Sequence, residues 1–362
     1  MLRNEVIKCV DTLLTRKKMK EKNGIGFVGS VVVDVVSEVL EPGNLVYSDG
    51  DRYLTGEDYE TEKIEYSVGG MCTNNSIDLA KMGATYPIRV IGKIGSDESG
   101  KRIRETLGKN GISDEYLIET SDHPTSTTHV IYIKVSQEII NRTFRYFFGA
   151  MGSFTLDDID YTVLEDLKIV MVGYCLLIPH FDEVDPEYGA AIGRILEKIR
   201  DMGITTCVDF VTPKRDKWWK YKRFQKTLKW ADILSIGEDQ AEGITGISDE
   251  KTAVKSLVED YGVKLAVVHC GDKGENYLYS ASTGLITQRI FKVPSAEYAG
   301  NVGAGDAFTS GLLYGIHEGW EEAKSLKYAT AAAAISLGSL TTTDAMQKEE
   351  YIIDYMNTRE EI

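Results

Sequence analysis

A glycine-rich segment ahead of an apolar run contains the residues best suited to chemistry. Gly303, Ala304 and Gly305 directly precede Asp306, and a mostly apolar helical pattern follows. Because small residues let backbone N–H groups face an anion at a helix N-terminus, this segment could stabilise the charge on a phosphoryl group during its transfer. The carboxylate of Asp306 could accept the proton of the attacking hydroxyl. From these residues alone, a helix-capping role for Asp306 fits equally well.

Two separate motifs in this chain resemble the signatures of the PfkB (ribokinase-like) family of carbohydrate kinases. Residues 303–308 match the last six positions of the second signature, whose usual form is Asp-Thr-x-Gly-Ala-Gly-Asp-Ala-Phe. The first signature is matched by Gly69, Gly70 and Asn74, which are followed by an apolar run ending in Met-Gly-Ala. The motifs occur in the family's order, and the resemblance extends over residues 25–339.

The resemblance implies an ATP-dependent sugar kinase that uses Mg²⁺ and transfers the γ-phosphate to a primary hydroxyl. It implies that Asp306 is the catalytic base. The residues of the anion hole would be Gly303, Ala304 and Gly305, those holding the acceptor Asp34, Gly69, Gly70 and Asn74, and those beside the nucleotide Gly271, Gly274 and Asn301.

Two segments depart from the family pattern. Gly237-Glu238-Asp239-Gln240 occupies the place of the family's Asn-x-x-Glu, which supports the magnesium shell. Since Mg²⁺ prefers carboxylates and water, Glu238, Asp239 or Glu242 could serve as the metal-site residue instead. Gly300-Asn301-Val302 stands where many relatives have Asp-Thr-Thr, whose Asp often contributes to a monovalent-cation site. Activation by K⁺ is therefore open.

The sequence leaves the identity of the acceptor open, and it also leaves alternatives for the activity. Ribose-, fructose- and ketodeoxygluconate-type acceptors all fit the resemblance, and Met151 stands where relatives commonly have Asn. The aromatic residues within 144–148 could stack on a sugar or a nucleobase. A nucleoside kinase is thus an alternative, and a catalytically weak sugar-binding or regulatory homologue is another.

Two glycine patterns imitate phosphate loops. Gly24, Gly26 and Gly29 have the dinucleotide spacing but precede a strand, whereas that fingerprint must follow one. The segment from Gly95 to Lys101 resembles a P-loop but continues with Arg rather than Ser or Thr and carries two carboxylates. We interpret it as a turn that caps a helix.

The elements around these motifs predict an α/β fold. Residues 25–36 are rich in β-branched types and predict the first core strand. Four further apolar strands alternate with helical patterns, at 168–173, 204–210, 232–236 and 264–269. This alternation is typical of a mostly parallel sheet covered by helices on both faces, a three-layer α/β/α sandwich whose active site lies at the carboxyl ends of the strands.

Short strands at 129–135 and 143–148 predict a small β-sheet lid. We expect an N-terminal amphipathic helix within residues 1–22, a ribokinase-like domain over 23–350 and a C-terminal tail at 351–362. The pieces of the lid would lie at about 40–68 and 123–148. In relatives the lids of two subunits clasp each other, which implies a homodimer.

Composition restricts the partners. The 362 residues carry a formal charge of −15, which disfavours a nucleic-acid or anionic-membrane partner. No stretch reads as a membrane span or a secretion signal. The five cysteines are odd in number and contain no CxxC pair, so reduced thiols and a cytoplasmic location are expected.

Overall fold

The computed structural model describes residues 22–40, 45–48, 51–54, 61–135, 138–213, 215–271 and 273–362. An N-terminal helix was predicted within residues 1–22, and residues 1–21 lie outside the described part of the chain.

The strands are β1 Ile25–Gly29, β2 Val32–Leu40, β3 Leu45–Ser48, β4 Asp51–Leu54, β5 Thr61–Gly69, β6 Ile88–Ile91, β7 Lys93–Gly95, β8 Ile118–Thr120, β9 Thr127–Val135, β10 Glu138–Phe147, β11 Ile169–Cys175, β12 Val184–Asp185, β13 Gly189–Ala190, β14 Thr205–Phe210, β15 Ile233–Gly237, β16 Leu265–His269, β17 Glu275–Ser280 and β18 Gly284–Arg289. The α-helices are α1 Met71–Met82, α2 Glu98–Lys109, α3 Ile192–Asp201, α4 Glu238–Thr245, α5 Glu250–Glu259, α6 Ala304–His317, α7 Glu322–Ser336 and α8 Glu349–Thr358. Short 3₁₀ helices occupy Gly149–Ser153, Leu156–Asp158, Tyr161–Leu164, Arg215–Lys226, Leu228–Trp230 and Ser295–Glu297.

The main sheet has eight strands in the order β18-β17-β16-β15-β14-β11-β1-β6. The strands from β16 to β6 are parallel, and β17 and β18 are antiparallel additions. Both faces are buried because successive residues of one strand enter different cores. On β11, Ile169 and Met171 pack with α1, α2, α6, α7 and α8, while Val170 and Val172 pack with α3, α4 and α5. The chain therefore has the predicted three layers.

A second sheet of four strands, in the order β10-β9-β2-β5, forms the lid. The prediction of one strand over 25–36 is wrong, because the chain leaves the main sheet after β1 and enters the lid as β2. Gly29, with φ of 147°, makes this turn. A Cβ there would lie 1.7 Å from the carbonyl oxygen of Gly173 on β11, so only glycine fits. Asp34 consequently belongs to the lid.

The segment predicted as a C-terminal tail is packed against the domain. Helix α8 buries Ile352 completely, and the backbone N–H of Ile362 donates to the carbonyl of Ile290 at 2.9 Å. The apolar residues of 351–362 fall at helical spacing, which explains why this segment covers the core. None of the described helices is long and apolar enough to cross a membrane.

Candidate active site

Two cavities adjoin at the edge of the main sheet where its parallel strands end. The lid cavity, about 340 Å³, lies between the lid and this edge and is lined by residues such as Asp34, Asn74 and Asp306. The helix cavity, about 640 Å³, lies beside α6 and α7. His269, Asn301 and Gly305 line both cavities, so the two spaces meet at the start of α6.

Asp306 lies in the first turn of α6. Gly303 precedes that helix with φ of 86°, and its carbonyl accepts the first helical hydrogen bond from the N–H of Ala307 at 2.8 Å. The Asp306 side chain is buried: it faces the lid cavity and is otherwise enclosed by protein. The positive end of the helix dipole therefore points to the place where the cavities meet.

Three donors hold the Asp306 carboxylate. The Nδ2 atoms of Asn74 and Asn75 donate to its two oxygens at 2.8 and 3.3 Å, and the hydroxyl of Tyr174 also donates. Burial raises the pKa of Asp306 above its usual value, and these hydrogen bonds oppose the rise. The carboxylate is thus fixed in position as an acceptor. Asn75 and Tyr174 were not predicted from the sequence, although Asn75 is adjacent to the predicted Asn74.

Replacing Tyr174 with phenylalanine removes one donor and should raise the pKa of Asp306. Because a general base must be deprotonated, the ascending limb of the pH profile of kcat/KM is expected to move upward by about one pH unit. The profile of the wild-type protein provides the reference. An unchanged limb, with the melting temperature also unchanged, would show that Tyr174 does not control the carboxylate.

The predicted acceptor residues meet on the lid side. Asp34, Gly70 and Asn74 all line the lid cavity. A Cβ on Gly69 would lie 1.9 Å from Oδ2 of Asp34, so Gly69 leaves the space that this carboxylate occupies. Burial, followed by the charge of Asp306, raises the pKa of Asp34 to about 7.

The turn at Gly303 has no room for a side chain. A Cβ there would lie 2.8 Å from Cα of Thr342, and φ is positive. We expect Gly303→Ala to lower kcat/KM by about 100-fold and to lower the melting temperature, since strain at such a position costs about 1–3 kcal/mol. Gly319→Ala is the control, because Gly319 has φ of 73° with no atom within 4 Å of its added Cβ. Equal effects of both substitutions on activity would contradict this role.

The helix cavity offers an apolar slot beside backbone amides. Gly271, Asn301, Ala304 and Gly305 line it as predicted, whereas Gly274 is not among its lining residues. The opposite wall is largely apolar, with side chains that include Phe291, Val293, Ala333, Ala334 and Leu337. Such a wall suits a flat aromatic ring, and the amides suit an anion.

The two predicted metal residues differ in their surroundings. Glu238 begins α4, and its Oε1 lies 3.5 Å from Nζ of Lys273. Its Oε2 is buried and has no hydrogen-bond partner, whereas Asp239 is exposed. Within the described ranges, no three His, Cys, Asp or Glu side chains cluster as metal ligands. The buried Oε2 of Glu238 fits an outer role at a hydrated Mg²⁺, and exposed Asp239 has no comparable feature.

The P-loop-like segment is a capping turn, as interpreted from the sequence. The Asp97 carboxylate accepts from the N–H of Gly100 at 2.8 Å at the start of α2. It also accepts from the N–H of Thr125 at 2.8 Å, which ties the turn to the segment leading into β9. Its carboxyl is therefore occupied by structural hydrogen bonds.

One further carboxyl group of the lid cavity was not assigned from the sequence. Asp209, near the end of β14, is buried and lines this cavity. The available signal was its place at the end of the apolar segment 204–210, because the carboxyl ends of parallel strands meet at one edge.

A buried carboxylate that faces one of two adjoining cavities, beside the helix N-terminus where they meet, is the arrangement of an enzyme that transfers a charged group between two small molecules. The model of the pfkB family carbohydrate kinases matches residues 26–349, and the chain belongs to this family. The predicted family is thereby confirmed.

Individual proteins similar to this chain are carbohydrate kinases by name. The 5-dehydro-2-deoxygluconokinase of Geobacillus thermodenitrificans is 25% identical over 307 residues, covering 82% of this chain and 86% of that protein. The ribokinase of Arabidopsis thaliana is 26% identical over 286 residues, covering 77% and 69%. Its structure with ribose and ATP has a TM-score of 0.70 at 23% identity and covers 92% of this chain and 99% of that one. A putative ribokinase II from E. coli with ATP and Mg²⁺ has a TM-score of 0.71 at 16% identity, covering 92% and 99%. The predicted fold class is confirmed by these neighbours.

Proposed function

We propose that this protein is an ATP-dependent sugar kinase that phosphorylates a primary hydroxyl of its acceptor, with Asp306 as the catalytic base. The observation that carries the proposal is the position of the Asp306 carboxylate, buried in the first turn of α6 where the two cavities meet. Membership of the pfkB family supports it.

In this proposal the acceptor occupies the lid cavity and ATP the helix cavity. Asp34 and Asn74 hold acceptor hydroxyls, and one primary hydroxyl lies against Asp306. Asp306 takes the hydroxyl proton as the oxygen forms its bond to the γ-phosphorus, and the bond between that phosphorus and the ADP oxygen breaks. The amides of Gly303, Ala304 and Gly305 stabilise the charge on the transferring group.

Mg²⁺ would neutralise charge between the ATP phosphates when bound. Glu238 is the residue proposed to support it, through the buried Oε2 described above. A magnesium titration of activity tests this assignment, because Glu238→Gln should raise the Mg²⁺ concentration needed for half-maximal rate. An unchanged titration would remove Glu238 from the metal site. Adding K⁺ to the same assay tests activation by a monovalent cation.

The experiment that tests the function is a measurement of ATP consumption over pentoses, hexoses, sugar acids and nucleosides. Turnover on a sugar supports the proposal. ATP or sugar binding without turnover on any acceptor would favour the catalytically weak sugar-binding homologue.

A nucleoside kinase is a second candidate because of two aromatic rings. Phe144 and Tyr146 line the lid cavity with their rings stacked at a centroid distance of 6.2 Å and an interplanar angle of 3°. A nucleobase could pack against such a surface. A higher kcat/KM for a nucleoside than for any free sugar would identify the protein as a nucleoside kinase.

We also propose that the protein is a cytoplasmic homodimer formed through the lid. The lid exposes large apolar side chains, including Ile64, Tyr66 and Phe147, each more than half exposed. Because such surface is costly to leave in water, a second copy is a suitable cover. Light scattering on Tyr66→Lys and on the wild-type protein tests this, since the substitution should shift the mass toward that of a monomer.

A further inference from the structure

The turn after β11 places a strained residue between two residues of the lid cavity. Leu176 has φ of 69°, and no other non-glycine residue in the described ranges has a positive φ. This left-handed conformation is disfavoured for a residue with a Cβ and persists only where the surroundings hold it. Tyr174 and Leu177 line the lid cavity, whereas the Leu176 side chain does not. The strain therefore lies in the backbone of the cavity wall.

An irregularity in β11 leads into this turn. Val172 of β11 pairs with Val208 of β14. The next pair is Cys175 with Phe210, so β11 has one extra residue between the two pairs. An extra residue of this kind bends a strand and changes the direction of its side chains. Beyond it, the N–H of Val211, a residue that lines the lid cavity, donates to the carbonyl of Cys175 at 3.1 Å, so the two segments form one wall.

The carboxyl group of Asp182 holds the strained residue. Its Oδ1 accepts the N–H of Leu176 at 2.9 Å. The backbone of Asp182 is itself fixed, since its N–H donates to the carbonyl of Ile178 at 3.0 Å and its carbonyl accepts from Nη1 of Arg223 at 2.7 Å. Burial raises the pKa of Asp182 to about 7, and the N–H of Leu176 opposes that rise. The proposed proton transfer makes no use of this carboxyl group.

We infer that Asp182 is a positioning residue for the site of the phosphoryl acceptor. By accepting the N–H of Leu176, it holds the left-handed conformation that directs Tyr174 and Leu177 into the lid cavity. Leu176 cannot leave that conformation without rotating the chain on one side of it, so its relaxation would move one of these two residues. The inference rests on the proposed kinase function, which assigns the lid cavity to the phosphoryl acceptor.

Two substitutions of Asp182 test the hydrogen bond. Asp182→Ala removes the oxygen that accepts the N–H of Leu176, so kcat/KM for the best compound of the acceptor panel should fall about 10-fold. KM for ATP should change less than about twofold, because this turn does not line the helix cavity. Asp182→Asn keeps a side-chain oxygen that can accept the same N–H, so it should retain at least about half of the wild-type kcat/KM.

A matched control distinguishes this role from the general loss of a carboxyl group that binds the backbone. The carboxylate of Asp160 accepts the N–H of Thr162 at 2.9 Å, and Asp160 lines neither cavity. Asp160→Ala should therefore leave both kinetic constants at their wild-type values. Equal values of kcat/KM for Asp182→Ala and Asp182→Asn would overturn the inference.

Substitutions of Leu176 test the backbone conformation without changing Asp182. Leu176→Asn should keep kcat/KM for the same compound within about threefold of wild type, because asparagine tolerates a positive φ. Leu176→Val should lower it about 10-fold, because a β-branched residue disfavours that region. Both variants have a smaller side chain at this position. Equal effects of the two would contradict the inference, and this comparison decides the matter if Asp182→Ala does not fold.

The outcomes separate this inference from the proposed function. Turnover by the wild-type protein, with no difference within either pair of variants, overturns the inference alone. Absence of turnover with every compound of the acceptor panel overturns the proposed function, and the role of this turn in acceptor binding with it.

Discussion

Asp306→Asn is expected to lower kcat by about 10²- to 10⁴-fold, the range over which general bases contribute. The amide of asparagine cannot accept the hydroxyl proton, although it has nearly the same size as the carboxylate. The donors from Asn74 and Tyr174 that hold the carboxylate would then face an amide, so the group also loses its fixed position. Since Asp306 lines the lid cavity but not the helix cavity, where ATP is proposed to bind, ATP should still bind.

Three measurements separate this effect from unfolding. The melting temperature and the calorimetric affinity for ATP should stay close to those of the wild-type protein, while phosphorylation of the acceptor falls. Asp201→Asn, an exposed carboxylate on α3, should retain wild-type activity. If Asp306→Asn keeps more than about a tenth of the wild-type kcat, the assignment of the base is wrong.

Asp34→Asn should impair acceptor use and stabilise the unliganded protein at neutral pH. Loss of a charged hydrogen-bond acceptor for sugar hydroxyls is expected to reduce kcat/KM by about 100-fold. The pKa of Asp34 is raised to about 7 in the folded protein from its ordinary value of 3.8. The folded state therefore binds more protons than the unfolded state between these values, and the stability of the wild-type protein falls as pH rises through that window.

Denaturation at several pH values tests the sign of this effect. The free energy of unfolding of Asp34→Asn minus that of the wild-type protein should increase from pH 4 to about pH 7 and then stay constant, reaching about 2–4 kcal/mol. Asp201→Asn again serves as the control, and its difference from wild type should not vary over this window. A variant that is less stable than wild type at pH 8 would show that Asp34 is held by compensating interactions.

Much of the site could be predicted because its parts are local in sequence. The turn at Gly303 and the carboxylate of Asp306 belong to one loop and helix start, and Asn74 lies in the first turn of α1. Tyr174 could not be found in this way. It reaches Asp306 from β11, 132 residues away, and only the packing of that strand against α6 brings the two side chains together.

The fold class could be predicted, but the point at which the chain passes from the main sheet to the lid could not. Residues 25–36 look like one strand because the segment is rich in β-branched residues, which favour strands, from Ile25 to Val36. The interruption comes from the close approach of Gly29 to Gly173, a contact between distant parts of the chain. Likewise, the burial of Ile352 depends on a core that the sequence of residues 351–362 could not reveal alone.

The connections between the lid and the main sheet bear on how a product would leave. The chain passes between the sheets near Ser30, Gly70, Ser126 and Phe148. These crossings bond to one another: Oγ of Ser30 accepts from the N–H of Met71 at 3.0 Å, and Oγ of Ser126 donates to the carbonyl of Phe148 at 2.5 Å. Any movement of the lid relative to the main sheet would have to bend the chain at these crossings. We expect an acceptor bound between Asp34 on the lid and Asp306 on the core to oppose opening of the lid, so that release of the product would require the lid to open.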